Sequence, residues 1–181
     1  MLFFCFSGPR ELGGSVEKKT ILVVDNEETI RETILKILER EGYKVLTAAD
    51  GQVALQIIRE RKVNLIISDI CMPRMDGNRL LKMAKSILPA VEIILMTGHG
   101  QVDMGLEALK EGAYDFIHKP FTKLTLNKTV KQALEKQALA QEMLILKEKV
   151  RELIAEIMDL VRDPAMPQLE YSRTLGANSS H

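Results

Sequence analysis

Five short apolar runs, separated by segments of helical periodicity, restrict this chain more than any other feature. Ile21-Leu22-Val23-Val24 closes on Asp25, Tyr43 to Ala48 forms a second run, and Leu65-Ile66-Ile67 leads to Asp69. Val91 to Met96 closes on Thr97, and Tyr114 to His118 closes on Lys119, with Pro120 as the stop. An unbroken apolar run such as Ile21–Val24 has the form of a strand buried on both faces, the condition of a parallel sheet covered by helices. The intervening segments supply those helices. Ile30, Ile34, Ile37 and Leu38 share one helical face that stops at Gly42. Ala54, Leu55 and Ile58 lie on a helix predicted over 52–61, Leu80, Leu81 and Ala84 on one after Gly77, and a further helix spans 102–111, closed by Gly112. Apolar residues at three- and four-residue spacing bury one stripe, and glycine is the usual residue just past a helix end.

Strands alternating with helices in this way predict an α/β doubly wound sheet of five parallel strands, flavodoxin-like, in the order 2-1-3-4-5. Ligands in such sheets bind beyond the carboxyl ends of the strands, where the strand order reverses. Asp25, Asp69, Thr97 and Lys119 therefore converge on one rim. Taken singly, an Asp after a strand is most often a turn or cap residue and a Lys before Pro is most often solvated. Four such groups at successive strand ends form a chemical set. Two neighbouring carboxylates repel unless a cation compensates, and oxygen donors of this kind suit Mg²⁺ with positions left for phosphate oxygens. Lys119 adds a cation for phosphoryl oxygens, Thr97 a hydroxyl, and Asp69 a carboxylate nucleophile able to form an aspartyl phosphate.

The motifs around these residues carry a resemblance. Val23-Val24-Asp25, Asp69 followed by Met72-Pro73-Arg74-Met75-Asp76-Gly77, Met96-Thr97-Gly98, and Gly112-Ala113-Tyr114-Asp115-Phe116-Ile117-His118-Lys119-Pro120-Phe121 resemble the receiver domain of bacterial two-component response regulators, of the chemotaxis and nitrogen-regulator type, over 19–137. The resemblance implies that a sensor histidine kinase phosphorylates Asp69 with Mg²⁺. Lys119 would then pair with the phosphoryl oxygens, Thr97 would bond them afterwards, and Phe116 would be the aromatic that turns inward when Thr97 moves. It further implies metal ligation by Asp25, Asn26, Asp69 and the Cys71 backbone carbonyl, and a cis bond before Pro120. The family usually carries two acids after the first strand, where this chain has Asp25-Asn26-Glu27. One formal charge fewer predicts weaker Mg²⁺ binding. Glu27 reads as a first-turn helix acid. Cys71 and His99 match positions that in the family tune how fast the phosphoryl group is lost. Cys71 reads as a small buried thiol, with a redox sensor as the alternative, and His99 and His118 read as exposed residues without a triad partner.

Between Pro120 and Pro164 lie 43 residues without Gly or Pro, predicting one helix over 123–161. Leu139, Met143, Leu146, Val150, Leu153, Ile157 and Leu160 alternate spacings of four and three, a heptad seam with Leu at d and Met, Val or Ile at a. That pattern favours a parallel two-stranded coiled coil, hence a homodimer. Leu144, Ile145, Ile154 and Met158 add apolar residues off the seam, which leaves a higher oligomer or a docking partner open.

The chain thus divides into a flexible lead-in (1–18), a receiver (19–137), a coiled-coil extension (138–162) and a loose tail (163–181), with Val16 as a conceivable alternative start. With 25 basic and 25 acidic side chains it has no net charge, which argues against direct nucleic-acid binding. Two cysteines without a Cys/His cluster, and no span for a bilayer, predict a soluble cytoplasmic protein. The reading is a phosphoacceptor switch, at most a slow self-phosphorylating and dephosphorylating protein rather than an enzyme, with output through protein contact. A receiver-like structural dimerisation module, or the N-terminal part of a transcriptional activator, are the alternatives. A phosphatase or flavin protein on this fold is disfavoured, because the strand-end loops lack the motifs either would need.

Overall fold

The computed structural model describes residues 18–98 and 102–162, so the lead-in up to residue 17, His99 and the tail from 163 lie outside the described residues. The elements alternate throughout: β1 (Thr20–Val24), α1 (Glu28–Arg40), β2 (Lys44–Ala48), α2 (Gly51–Glu60), β3 (Leu65–Asp69), α3 (Gly77–Ile87), β4 (Glu92–Thr97), α4 (Val102–Lys110), β5 (Asp115–His118) and α5 (Lys123–Arg162). All strand pairs are parallel, and the sheet order is β2-β1-β3-β4-β5. The fold is the flavodoxin-like doubly wound sheet that the alternation predicts, followed by the long last helix.

Alternate residues of the strands feed two cores. Leu22, Val24, Ile66, Ile93 and Leu95 pack with Ala54, Leu55 and Ile58 of α2, Leu80, Leu81 and Ala84 of α3, and Ala108 of α4. Ile21, Val23, Leu65, Ile67, Ile94 and Met96 pack on the other face with Ile34 and Leu38 of α1 and Leu126, Val130 and Leu134 of α5. β1, β3 and β4 are buried along their whole length, as strands with helices on both sides must be. The edge strand β2 keeps Lys44 and Thr47 exposed.

Local chemistry sets the element ends. Gly42 and Gly112 take positive φ (90° and 99°) just after α1 and α4, where a side chain would be strained. The Asp50 carboxylate accepts from the backbone N–H groups of Gln52 and Val53 at the start of α2, and Asp76 accepts from that of Arg79 at the start of α3. At the opposite end of the sheet the buried Gln137 amide donates to the carbonyls of Asn64 (2.7 Å) and Ala90 (3.1 Å), while Asn64 Oδ1 accepts from Thr20 N–H. This ties α5 to the loops that enter β3 and β4.

The chain divides into two compact units, Met1–Ala138 and Leu139–His181. The second, taken by itself, is helical through Arg162, and its side chains from Leu139 to Val161 are exposed, the heptad residues included.

Candidate functional site

Three strand ends deliver three charges to one point. Asp25 follows β1 and is fully buried, Asp69 is the last residue of β3 and is also buried, and Lys119 follows β5. Lys119 Nζ lies 2.7 Å from Asp25 Oδ2 and 2.7 Å from Asp69 Oδ1, so one ammonium bridges two carboxylates. Each group is held by its own backbone. Asp25 Oδ1 accepts from the Glu27 N–H at 2.8 Å, and the Arg31 guanidinium donates to the Asp25 carbonyl at 2.7 Å. The Lys119 N–H donates to the Thr97 carbonyl at 2.8 Å, and the bond before Pro120 is cis.

The electrostatics follow from burial against charge. Burial pushes the Asp69 carboxyl above its ordinary range; the Lys119 hydrogen bond and charge and a hydrogen bond from the Cys71 backbone oppose this, while the Asp25 charge adds to it. Burial works against the Lys119 ammonium, but its hydrogen bonds and ion pairs with Asp25 and Asp69 outweigh that and hold it above its ordinary value. Asp69 is therefore a poorly solvated carboxylate with a fixed cation beside it.

Thr97 ends β4, fully buried, and its hydroxyl is bonded to the ring of His118, Oγ1 to Nδ1 at 2.8 Å. Phe116 is half-buried on β5; its ring meets the His118 ring edge to face, with centroids 5.2 Å apart, and covers Gly105. Asn26 is exposed on the loop after β1. Cys71 is exposed as well, not the small buried thiol the sequence suggests: on the loop leaving β3 it is Ile70 that enters the core, which leaves Cys71 to solvent. Arg31 and His118 also belong to the site, and neither carries a motif signal. Thr97 and His118 are register partners on adjacent strands, so their contact is readable only once β4 is aligned on β5. No spacing signal points to Arg31, whose contact is with a backbone carbonyl.

Residues 21–131 match the family model of the response regulator receiver domain. The chain belongs to the receiver domain family. Among relatives of this receiver domain, a putative response regulator NtrX-like protein of Rickettsia bellii is 39% identical over 132 residues, covering 72% of this chain and 28% of its own length. The nitrogen assimilation regulatory protein NtrX of Azorhizobium caulinodans is 42% identical over 130 residues, 71% of this chain and 29% of its own. The chain thus spans under a third of those relatives. Among solved structures, the receiver domain of NtrX from Brucella abortus matches with a TM-score of 0.62 and 39% identity, covering 64% of this chain and 98% of that one. A response regulator receiver domain protein from Clostridium thermocellum matches at 0.65 and 35%, covering 67% and 98%.

Proposed function

We propose that this receiver domain is a phosphoacceptor switch modified on Asp69 by a sensor histidine kinase. The observation that carries this is the Lys119 ammonium held 2.7 Å from both Asp25 and Asp69. An Asp69 oxygen forms the O–P bond as the P–N bond to the kinase phosphohistidine breaks, and the histidine leaves as the neutral imidazole after taking up a proton. Lys119 then neutralises the phosphoryl oxygens, and the Thr97 hydroxyl supplies them a donor. Asp69 is a reactant consumed in each cycle, so the domain acts as an acceptor.

Two carboxylates against one ammonium leave a net negative charge at the rim, and that imbalance favours a divalent cation. Among the described residues no three His, Cys, Asp or Glu side chains gather around one point. The donors left to join Asp25 and Asp69 are the Asn26 amide and the Cys71 carbonyl, both oxygens of the type Mg²⁺ takes. When bound, Mg²⁺ supplies charge neutralisation for the transferred phosphoryl group. The matching test is incubation with acetyl phosphate and Mg²⁺: a mass gain of one phosphoryl group, absent in Asp69→Ala, supports the reading, and no gain refutes it.

The heptad residues Leu139, Met143, Leu146, Val150, Leu153, Ile157 and Leu160 are all exposed in the single chain. An apolar stripe of this length supports a homodimer through 138–162, with output by contact with a downstream protein. Among the described residues no helix is long and apolar enough to cross a membrane. A second reading, that this is the receiver portion of a longer transcriptional activator, is favoured by its spanning only 28–29% of two NtrX-type relatives.

A further inference from the structure

The Thr97 hydroxyl has one proton to give. In this structure the Thr97 hydroxyl is engaged with His118, in a side-chain bond that crosses from β4 to β5. With its proton on Nε2 the ring accepts at Nδ1 from the hydroxyl, and with a proton on Nδ1 the ring donates to the same oxygen, so the contact holds in either tautomer. The same ring rests edge to face against Phe116. One exposed residue thus touches both groups that the phosphoacceptor reading expects to move, while Thr97 itself is fully buried.

We propose that His118 is a latch that holds Thr97 away from Asp69 in the unphosphorylated domain, and so sets how readily the switch closes. It is a positioning residue acting through Thr97, and it rests on the phosphoacceptor reading of Asp69. To bond a phosphoryl oxygen, the Thr97 hydroxyl gives up His118 Nδ1, and the exposed imidazole transfers that bond to water. The latch is therefore soft. It shifts an equilibrium by the worth of one hydrogen bond rather than blocking it.

The test is a titration of the full chain with beryllofluoride and Mg²⁺, a mimic of the bound phosphoryl group. His118→Phe keeps an aromatic ring against Phe116 and removes the ring nitrogen, whereas His118→Asn keeps a polar group near the position of Nδ1. We expect His118→Phe to bind beryllofluoride roughly two- to tenfold more tightly than wild type, the range one neutral hydrogen bond covers. His118→Asn should stay close to wild type. In a Thr97→Val background the His118→Phe change should have no effect. Unchanged affinity in His118→Phe, or the same gain in the Thr97→Val background, overturns the latch while leaving the phosphoacceptor reading intact. Wild type that fails to bind beryllofluoride overturns that reading and the latch with it. Imidazole nitrogen NMR of the protein without beryllofluoride reads the bond directly: a His118 ring signal unaffected by Thr97→Val overturns the latch independently of phosphoryl chemistry.

Discussion

Asn26 is exposed beside a buried Asp25, in the place where the family usually carries a second acid. A carboxylate there adds a full charge within reach of a divalent cation. Even at the dielectric of water one such pair a few ångströms apart is worth about 1–2 kcal/mol, so Asn26→Asp is expected to tighten Mg²⁺ binding roughly tenfold. Equal affinity by titration would remove Asn26 from the site. Gly77 carries a different constraint. A Cβ added at Gly77 would stand 2.5 Å from the Asp69 carbonyl oxygen, a backbone atom that cannot swing aside. Gly77→Ala should cost about 1–3 kcal/mol in thermal unfolding and slow phosphorylation, because relief of the clash displaces Asp69, the proposed phosphoacceptor. Wild-type stability would show that the α3 start shifts freely.

At the scale of elements, α2 and the loop after β3 are fastened together by one side chain. Asp50 caps α2 and also pairs with Arg74, which adopts a positive φ of 69°. The Val53 backbone N–H, with Arg74 and the Gln52 N–H, holds the Asp50 carboxyl below its ordinary range despite burial that works the other way. A depressed folded-state pKa stabilises the fold above the ordinary carboxylate pKa, near 4, and that contribution fades as pH falls through the folded value. Asp50→Ala should therefore cost about 1 kcal/mol at pH 7, the usual worth of such a cap, with the gap to wild type closing in acid. A gap independent of pH would deny the carboxylate its role.

Much of this level was legible in the sequence, because the strands are apolar runs and the helices stop at Gly42 and Gly112. Strand order then brings Asp25, Asp69 and Lys119 to one rim. What pattern could not supply were contacts made through loops and between side chains. Arg74 holds a backbone conformation that favours glycine, and Cys71 faces outward because Ile70 takes the core position. The Thr97–His118 bond needs the register of β4 against β5 before it can be read. In the extension, the heptad is legible but its partner is not. Leu153→Glu, at a d position inside the seam, should convert a dimer to a monomer in light scattering; an unchanged mass would mean that this stripe serves another surface.

For the whole molecule, the proposed function joins a receiver fold to an exposed apolar helix, through which one covalent charge change at Asp69 would be read out as a protein contact. Phosphorylation replaces the single negative charge of the Asp69 carboxylate with the roughly two of an acyl phosphate, a net gain of about one at a rim where Lys119 is the bridging cation. Thr97 and Phe116 lie within reach of that change through β4 and β5, and His118 touches both. All of this depends on Asp69 being the acceptor. Treatment with acetyl phosphate and Mg²⁺, followed by borohydride reduction and peptide mapping, converts an aspartyl phosphate to homoserine at its own position. The account predicts homoserine at residue 69 and nowhere else; label at another carboxylate, or none in a folded protein, would contradict it.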